Sequence, residues 1–173
     1  MNHLEQLVAE WLQFNGYFVR SSVLVGRRAN GGFEGELDVV GIHLGNNRLL
    51  HVECSLDANS TREREHRFSA KFDRGRKFIK DVFQGMPVDF DSLESVVVMG
   101  AASRAIEVIG GGRVVTVREL VLEIFAGLRG TTPLKGAVPS SFPLLRTLQL
   151  ASYAMTLPSG ASVRKLIETR EIT

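Results

Sequence analysis

The sequence predicts an α/β or α+β domain built on one mixed β-sheet, and three observations carry that expectation. Apolar residues recur at helical spacing over residues 3–15, 62–83 and 117–128. Two alternating segments, 36–43 and 49–56, flank the turn Gly45-Asn46-Asn47-Arg48 and read as a hairpin. Residues 95–99 form a continuous apolar run closed by Gly100, the pattern of a strand covered on both faces.

In chain order, Leu4, Leu7, Val8, Trp11 and Leu12 give the first helix its apolar face, and Gly16 stops it. Residues 17–25 are apolar and β-prone up to Gly26, so they form a strand. The segment 27–35 carries Gly31 and Gly32 and reads as a loop before the hairpin. Asn59, Ser60 and Thr61 lead into the long helix 62–83, whose apolar face is Phe68, Phe72, Ile79, Val82 and Phe83. After the strand at 95–99, Gly110-Gly111-Gly112 turns into a strand at 114–117. Thr116 and Glu119 then form a capping box for the helix 117–128. Beyond Gly130 the composition changes: Pro133, Pro139, Pro143 and Pro158 punctuate two short helices, at 143–155 and 161–170. The expected organisation is a core over 1–128 and a Pro-containing helical extension over 129–173 packed upon it.

At 173 residues, with 44% hydrophobic and 23% charged residues, the chain is long enough to bury a substantial core without metals or disulfides. Cys54 is the single cysteine, which excludes an internal disulfide and a four-cysteine zinc site. No apolar run approaches the length of a membrane span, and Glu5 and Glu10 interrupt the N-terminus, so a soluble, cytoplasmic protein is expected. His3, His43, His51 and His66 lack metal-ligand spacing, and no phosphate-binding glycine-lysine loop occurs.

The chemistry concentrates on the hairpin. Alternation places Glu36 and Asp38 on one face of its first strand, and His51, Glu53 and Ser55 on one face of its second. Leu37, Val39, Val40, Leu49, Leu50 and Val52 make both strands largely apolar, so acids within them are costly unless used or paired. A register that brings Asp38 beside Glu53 sets two carboxylates together, an unfavourable arrangement until a cation lies between them. Hard oxygen donors of this kind suit Mg²⁺ or Mn²⁺. Cys54 faces away from Glu53 and reads as a core residue rather than a nucleophile.

Gly35-Glu36-Leu37-Asp38-Val39-Val40-Gly41 followed by Val52-Glu53-Cys54-Ser55 resembles the core motif of the PD-(D/E)XK nuclease superfamily, the restriction-endonuclease-like fold, nearest its Mrr-like and Holliday junction resolvase-like branches. The resemblance covers residues 1–128. It implies a metal-dependent nuclease in which Asp38, Glu53 and the Cys54 backbone carbonyl hold the ion. Glu5, separated by ten intervening residues from Gly16-Tyr17, matches the acidic position of that superfamily's first helix. Where the superfamily carries a lysine, this chain has Ser55, whose hydroxyl orients a water but lacks the positive charge. A lysine migrated to the following helix is one resolution. Lys71 is the candidate, because Arg64, Arg67, Lys71 and Arg74 run at helical spacing along the border of the Phe68–Phe72 face. The competing resolution is an inactive nuclease fold that binds DNA or a protein.

Net charge is only +2, yet eight of the 21 basic residues fall within 61–80. A basic stripe beside paired acids is what a DNA backbone requires, with Arg64, Arg67 and Arg74 on the helix and Arg27 and Arg28 in the preceding loop as phosphate contacts. A solvated helix face with internal ion pairs is the competing reading of that charge run. A further alternative makes the terminal helices a homodimerisation or partner-docking element.

Overall fold

The computed structural model describes residues 2–100, 102, 106–133 and 138–155. Among the described residues four helices flank a six-stranded mixed sheet, which bears out the α/β class. Chain order is α1 (His3–Phe14), β1 (Phe18–Arg27), β2 (Phe33–His43), β3 (Arg48–Ser55), α2 (Thr61–Val82), a 3₁₀ turn at Phe90–Ser92, β4 (Leu93–Met99), β5 (Val108–Ile109), β6 (Gly112–Thr116), α3 (Val117–Gly127) and α4 (Pro143–Ala154). In space the strands run β1-β2-β3-β4-β6-β5. The first three form an antiparallel meander, β3, β4 and β6 are parallel, and β5 returns antiparallel to β6. The parallel β3–β4 step needs a crossover, and α2 supplies it.

The sheet separates two apolar layers. On one side α1, α3 and α4 bring Leu4, Val8, Trp11, Leu12, Leu120, Ile124 and Leu145 against Val39, Leu50, Val52, Cys54, Val96, Val98 and Val115. On the other, α2 lays Phe68, Phe72, Ile79 and Val82 over Val40, Ile42, Leu49, Val97, Met99 and Val114. The central strands are covered on both faces, so they are apolar at nearly every position, and any acid within them is enclosed.

Local signals set the helix boundaries. Capping boxes at Asn2/Glu5, Ser60/Glu63 and Thr116/Glu119 satisfy the first N–H groups of α1, α2 and α3. Helix α4 lacks a side-chain cap but begins on Pro143.

Several expectations need correction. β1 continues to Arg27 and β2 begins at Phe33, so the loop expected over 27–35 shrinks to residues 28–32. Pairing of Arg27 with Phe33 and of Val25 with Gly35 carries the hairpin outward. The two-residue strand β5, paired across Gly110-Gly111, is too short to leave a periodic signal. The segment after Gly130 is tied together internally by Gln149, and its Leu145 N–H bonds to Glu10 of α1. Gln149 accepts from the Val138 N–H (3.0 Å) and donates to Thr131 Oγ1 (3.0 Å), and Glu10 accepts from the Leu145 N–H (2.8 Å). The helix expected at 161–170 lies outside the described residues. Among the described residues no helix is long and apolar enough to cross a membrane.

A candidate site of two carboxylates and a lysine

The β2–β3 ladder pairs Val40 with His51 and Val39 with Val52, a register that brings Asp38 opposite Glu53. Glu53 is fully buried and Asp38 is 7% exposed. Strict alternation fails at Asp38. The β1–β2 ladder passes from Ser21–Val39 to Val23–Leu37 without a Ser22–Asp38 pair, and Ser22 takes a left-handed φ of 52°. Leu37 consequently joins the same apolar cluster as Val40. Local kinks of this kind re-aim side chains, and here the Asp38 N–H points to Glu53 Oε1 at 3.4 Å.

Each carboxylate has one oxygen anchored by the protein and one presented to a cation. Asp38 Oδ2 accepts from the Cys54 N–H at 2.9 Å, and Asp38 Oδ1 accepts from Lys71 Nζ at 2.9 Å. Glu53 Oε1 is held by His51 Nε2 at 2.7 Å, and Glu53 Oε2 accepts from Lys71 Nζ. About three turns before the end of α2, Lys71 extends its stem along the Phe68–Phe72 face and delivers its ammonium between the two acids.

The electrostatics follow from burial and proximity. Burial and the neighbouring Glu53 charge raise the Asp38 carboxyl to about 7, although Lys71 and the Cys54 N–H oppose them. Burial pushes Glu53 upward as well, but the His51 hydrogen bond and the Lys71 ammonium outweigh it, and Glu53 titrates below its ordinary value. Burial favours loss of the Lys71 proton; the two carboxylates reverse this and hold Lys71 above its usual range. Cys54 is buried on the opposite face, as alternation requires. Burial and the charges of Asp38, Glu5 and Glu53 drive its thiol far up, which makes it inert as a nucleophile.

The other expected residues fall into three groups. Glu5 closes the capping box of α1, bonded to the Asn2 N–H (2.9 Å) and Nδ2 (2.6 Å). It lies near enough for its charge to act on Cys54, and the carboxylates bonded to Lys71 are those of Asp38 and Glu53. Ser55 turns its hydroxyl to Asp57 and accepts from Arg67 Nη2 (3.1 Å) instead of facing the carboxylate pair. Asp57 also takes Arg64 (3.2 Å) and Arg67 (2.5 Å), so these two arginines lock the end of β3 to the start of α2. Arg67 in addition lies over the Phe68 ring, 4.9 Å from its centroid. Arg74 packs its guanidinium against Gly35, where a Cβ would overlap it, and borders a groove with Arg28, Glu34, Ala70, Asp73 and Lys77. Arg27 and Arg28 are exposed. Of the remaining helix charges, Arg76 pairs with Asp73 and Lys77 with Glu34.

His51 and Asp57 are the residues whose roles sequence reasoning left open. The alternation signal did place His51 on the Glu53 face. Asp57, two residues beyond the strand, offered only its proximity to the basic helix.

The oxygen set fits a hard divalent cation in part. Two carboxylates are what Mg²⁺ ordinarily takes from a protein, with water and substrate phosphate completing its shell. Asp38 Oδ1 and Glu53 Oε2 are the available pair, and Cys54 follows Glu53 in β3. Among the described residues no group of three or more His, Cys, Asp or Glu side chains converges as a metal-binding set. The Lys71 ammonium lies between these two oxygens, so a divalent cation held by both would require it to move aside. No model of a known protein family and no curated protein sequence matches this chain.

Proposed function

We propose that the chain is a metal-dependent phosphodiester hydrolase acting on DNA, with the restriction-endonuclease-like arrangement and Asp38 and Glu53 as its metal ligands. The observation that carries this reading is the division of labour at the two carboxylates. One oxygen of each is fixed by the Cys54 N–H or His51, and the other is presented to a shared positive charge. Paired buried acids held apart from solvent cost stability and are retained where they bind a cation.

In this reading Asp38, Glu53 and the Cys54 carbonyl would hold Mg²⁺ or Mn²⁺. The ion, when bound, supplies Lewis-acid polarisation of a phosphoryl oxygen and lowers the pKa of water. Lys71 supplies the charge that Ser55 lacks. Its ammonium is held protonated beside both carboxylates, so it donates to the oxygen on which negative charge develops. Arg74 and the exposed Arg27 and Arg28 are placed to contact the phosphate backbone, whereas Arg64 and Arg67 act through Asp57 to fix the lysine-bearing helix.

One observation favours a second reading, a DNA- or protein-binding module without catalysis: the Lys71 ammonium already fills the position a divalent ion would take. Cleavage of supercoiled plasmid in Mg²⁺ or Mn²⁺ separates the two. The hydrolase nicks or linearises it, and loses that activity on Asp38→Ala or Glu53→Ala. A gel shift without cleavage in either metal establishes the binding module and refutes the hydrolase.

A further inference from the structure

Beneath α2 lies a buried histidine that the proposed hydrolysis does not itself use. His51 is fully buried in β3, its ring edge-on to Phe72 with centroids 5.2 Å apart. Gly75 passes directly above it, and a Cβ there would overlap His51 Nδ1. The helix therefore carries its one buried glycine where the imidazole needs the space. Such close enclosure fixes the ring.

The two ring nitrogens have different fates. Nε2 lies 2.7 Å from Glu53 Oε1, and since an ionised carboxylate only accepts, Nε2 is the donor. Nδ1 is equally buried and has no hydrogen-bond partner among the described residues. A packing histidine gains nothing from this position, because an apolar residue of the same size would fill the space without a desolvated nitrogen. What the imidazole adds is one directed bond, on the Glu53 oxygen that faces away from Lys71.

We infer that His51 is a positioning residue for the cation site: its Nε2–H fixes the Glu53 carboxylate so that Oε2, and only Oε2, is presented to the cation. The inference rests on the reading of Asp38 and Glu53 as metal ligands. Without the bond, only the longer Asp38 N–H contact at 3.4 Å holds Glu53 Oε1, and the carboxylate can turn to chelate Lys71 with both oxygens, closing the site. Hydrogen-bond partners of ligating groups act in this way, and their loss weakens metal affinity by about 10–100-fold.

The test is Mn²⁺ affinity by titration calorimetry, with thermal unfolding recorded for each variant. His51→Gln places an amide N–H where Nε2 was, whereas His51→Leu keeps volume and removes the donor. We expect the Gln variant to bind within about three-fold of the wild type and the Leu variant about ten-fold or more weaker. A folded Leu variant with wild-type affinity overturns the inference, as does a folded Gln variant as weak as the Leu variant. Should His51→Leu not fold, His51→Asn replaces it, since its shorter amide cannot reach Glu53 and must weaken Mn²⁺ to the same degree. Failure of the wild-type protein itself to bind Mn²⁺ is a different outcome: it removes the metal-ligand reading and this inference with it.

Discussion

Replacing Lys71 by methionine removes the ammonium while keeping most of the side-chain volume, and its cost depends on pH. With Nζ at 2.9 Å from Asp38 Oδ1, the gross attraction at an effective dielectric of about 20 is about 6 kcal/mol. Desolvation of the partners offsets much of it. Breaking a buried pair by removing one partner costs about 3–5 kcal/mol, and the Lys71 side chain, 26% exposed, belongs at the lower end. We expect a loss of about 3 kcal/mol at about pH 8, where both acids are ionised. At about pH 5.5 Asp38, which titrates at about 7, already holds a proton. Only the Glu53 pairing is then lost, and the cost falls to about 1.5 kcal/mol. Urea unfolding of both proteins at the two pH values measures this directly. An equal loss at both, or a greater loss at the acid value, refutes the account of how the lysine is held.

The two carboxylates should respond to neutralisation with opposite signs. The folded pKa of Asp38 is raised from 3.8 to about 7, so its contribution to stability is complete below about 4 and is lost as pH rises to about 7. Asp38→Asn therefore stabilises the metal-free protein by about 1 kcal/mol at about pH 8 while abolishing Mn²⁺ binding. Glu53 is depressed, its contribution is lost as pH falls through the folded value, and Glu53→Gln destabilises at neutral pH; thermal melts of both variants check the pair of signs. Gly75→Ala, though favourable for an exposed helix, drives a methyl into the His51 ring and should cost about 1–3 kcal/mol by urea unfolding. Gln149→Leu strands the buried Val138 N–H and should lower stability by about 1–3 kcal/mol, with a single unfolding transition if α4 belongs to the core.

The hairpin was legible because its chemistry is local. The turn at residues 45–48 and the apolar alternation fix one register, and that register alone sets Asp38 against Glu53. Lys71 was legible for a similar reason, since helical spacing carried it to the border of the Phe68–Phe72 face. What failed was local in a different sense. The kink opposite Ser22 breaks alternation at Leu37–Asp38, and no residue type announces it. Arg64 and Arg67, expected as phosphate contacts, also pair with Asp57, a contact that tertiary proximity sets and the charge run does not announce. Glu5 is the instructive case: Asn2-x-x-Glu5 is a capping-box pattern visible in the sequence, and that role explains the residue without any metal. Of the polar anchors of α4, Glu10 depends on a contact across the fold and Gln149 on the path of the preceding loop, and neither carries a sequence signal.

The central claim is that a divalent cation binds where Asp38 Oδ1 and Glu53 Oε2 now share the Lys71 ammonium. Anomalous diffraction from crystals of the wild-type chain grown with Mn²⁺ addresses it most directly. The account predicts one peak between these two oxygens, with Lys71 Nζ moved aside and the bonds from His51 and the Cys54 N–H unchanged. A map with no peak there, and Lys71 still bridging both carboxylates at saturating Mn²⁺, would contradict it.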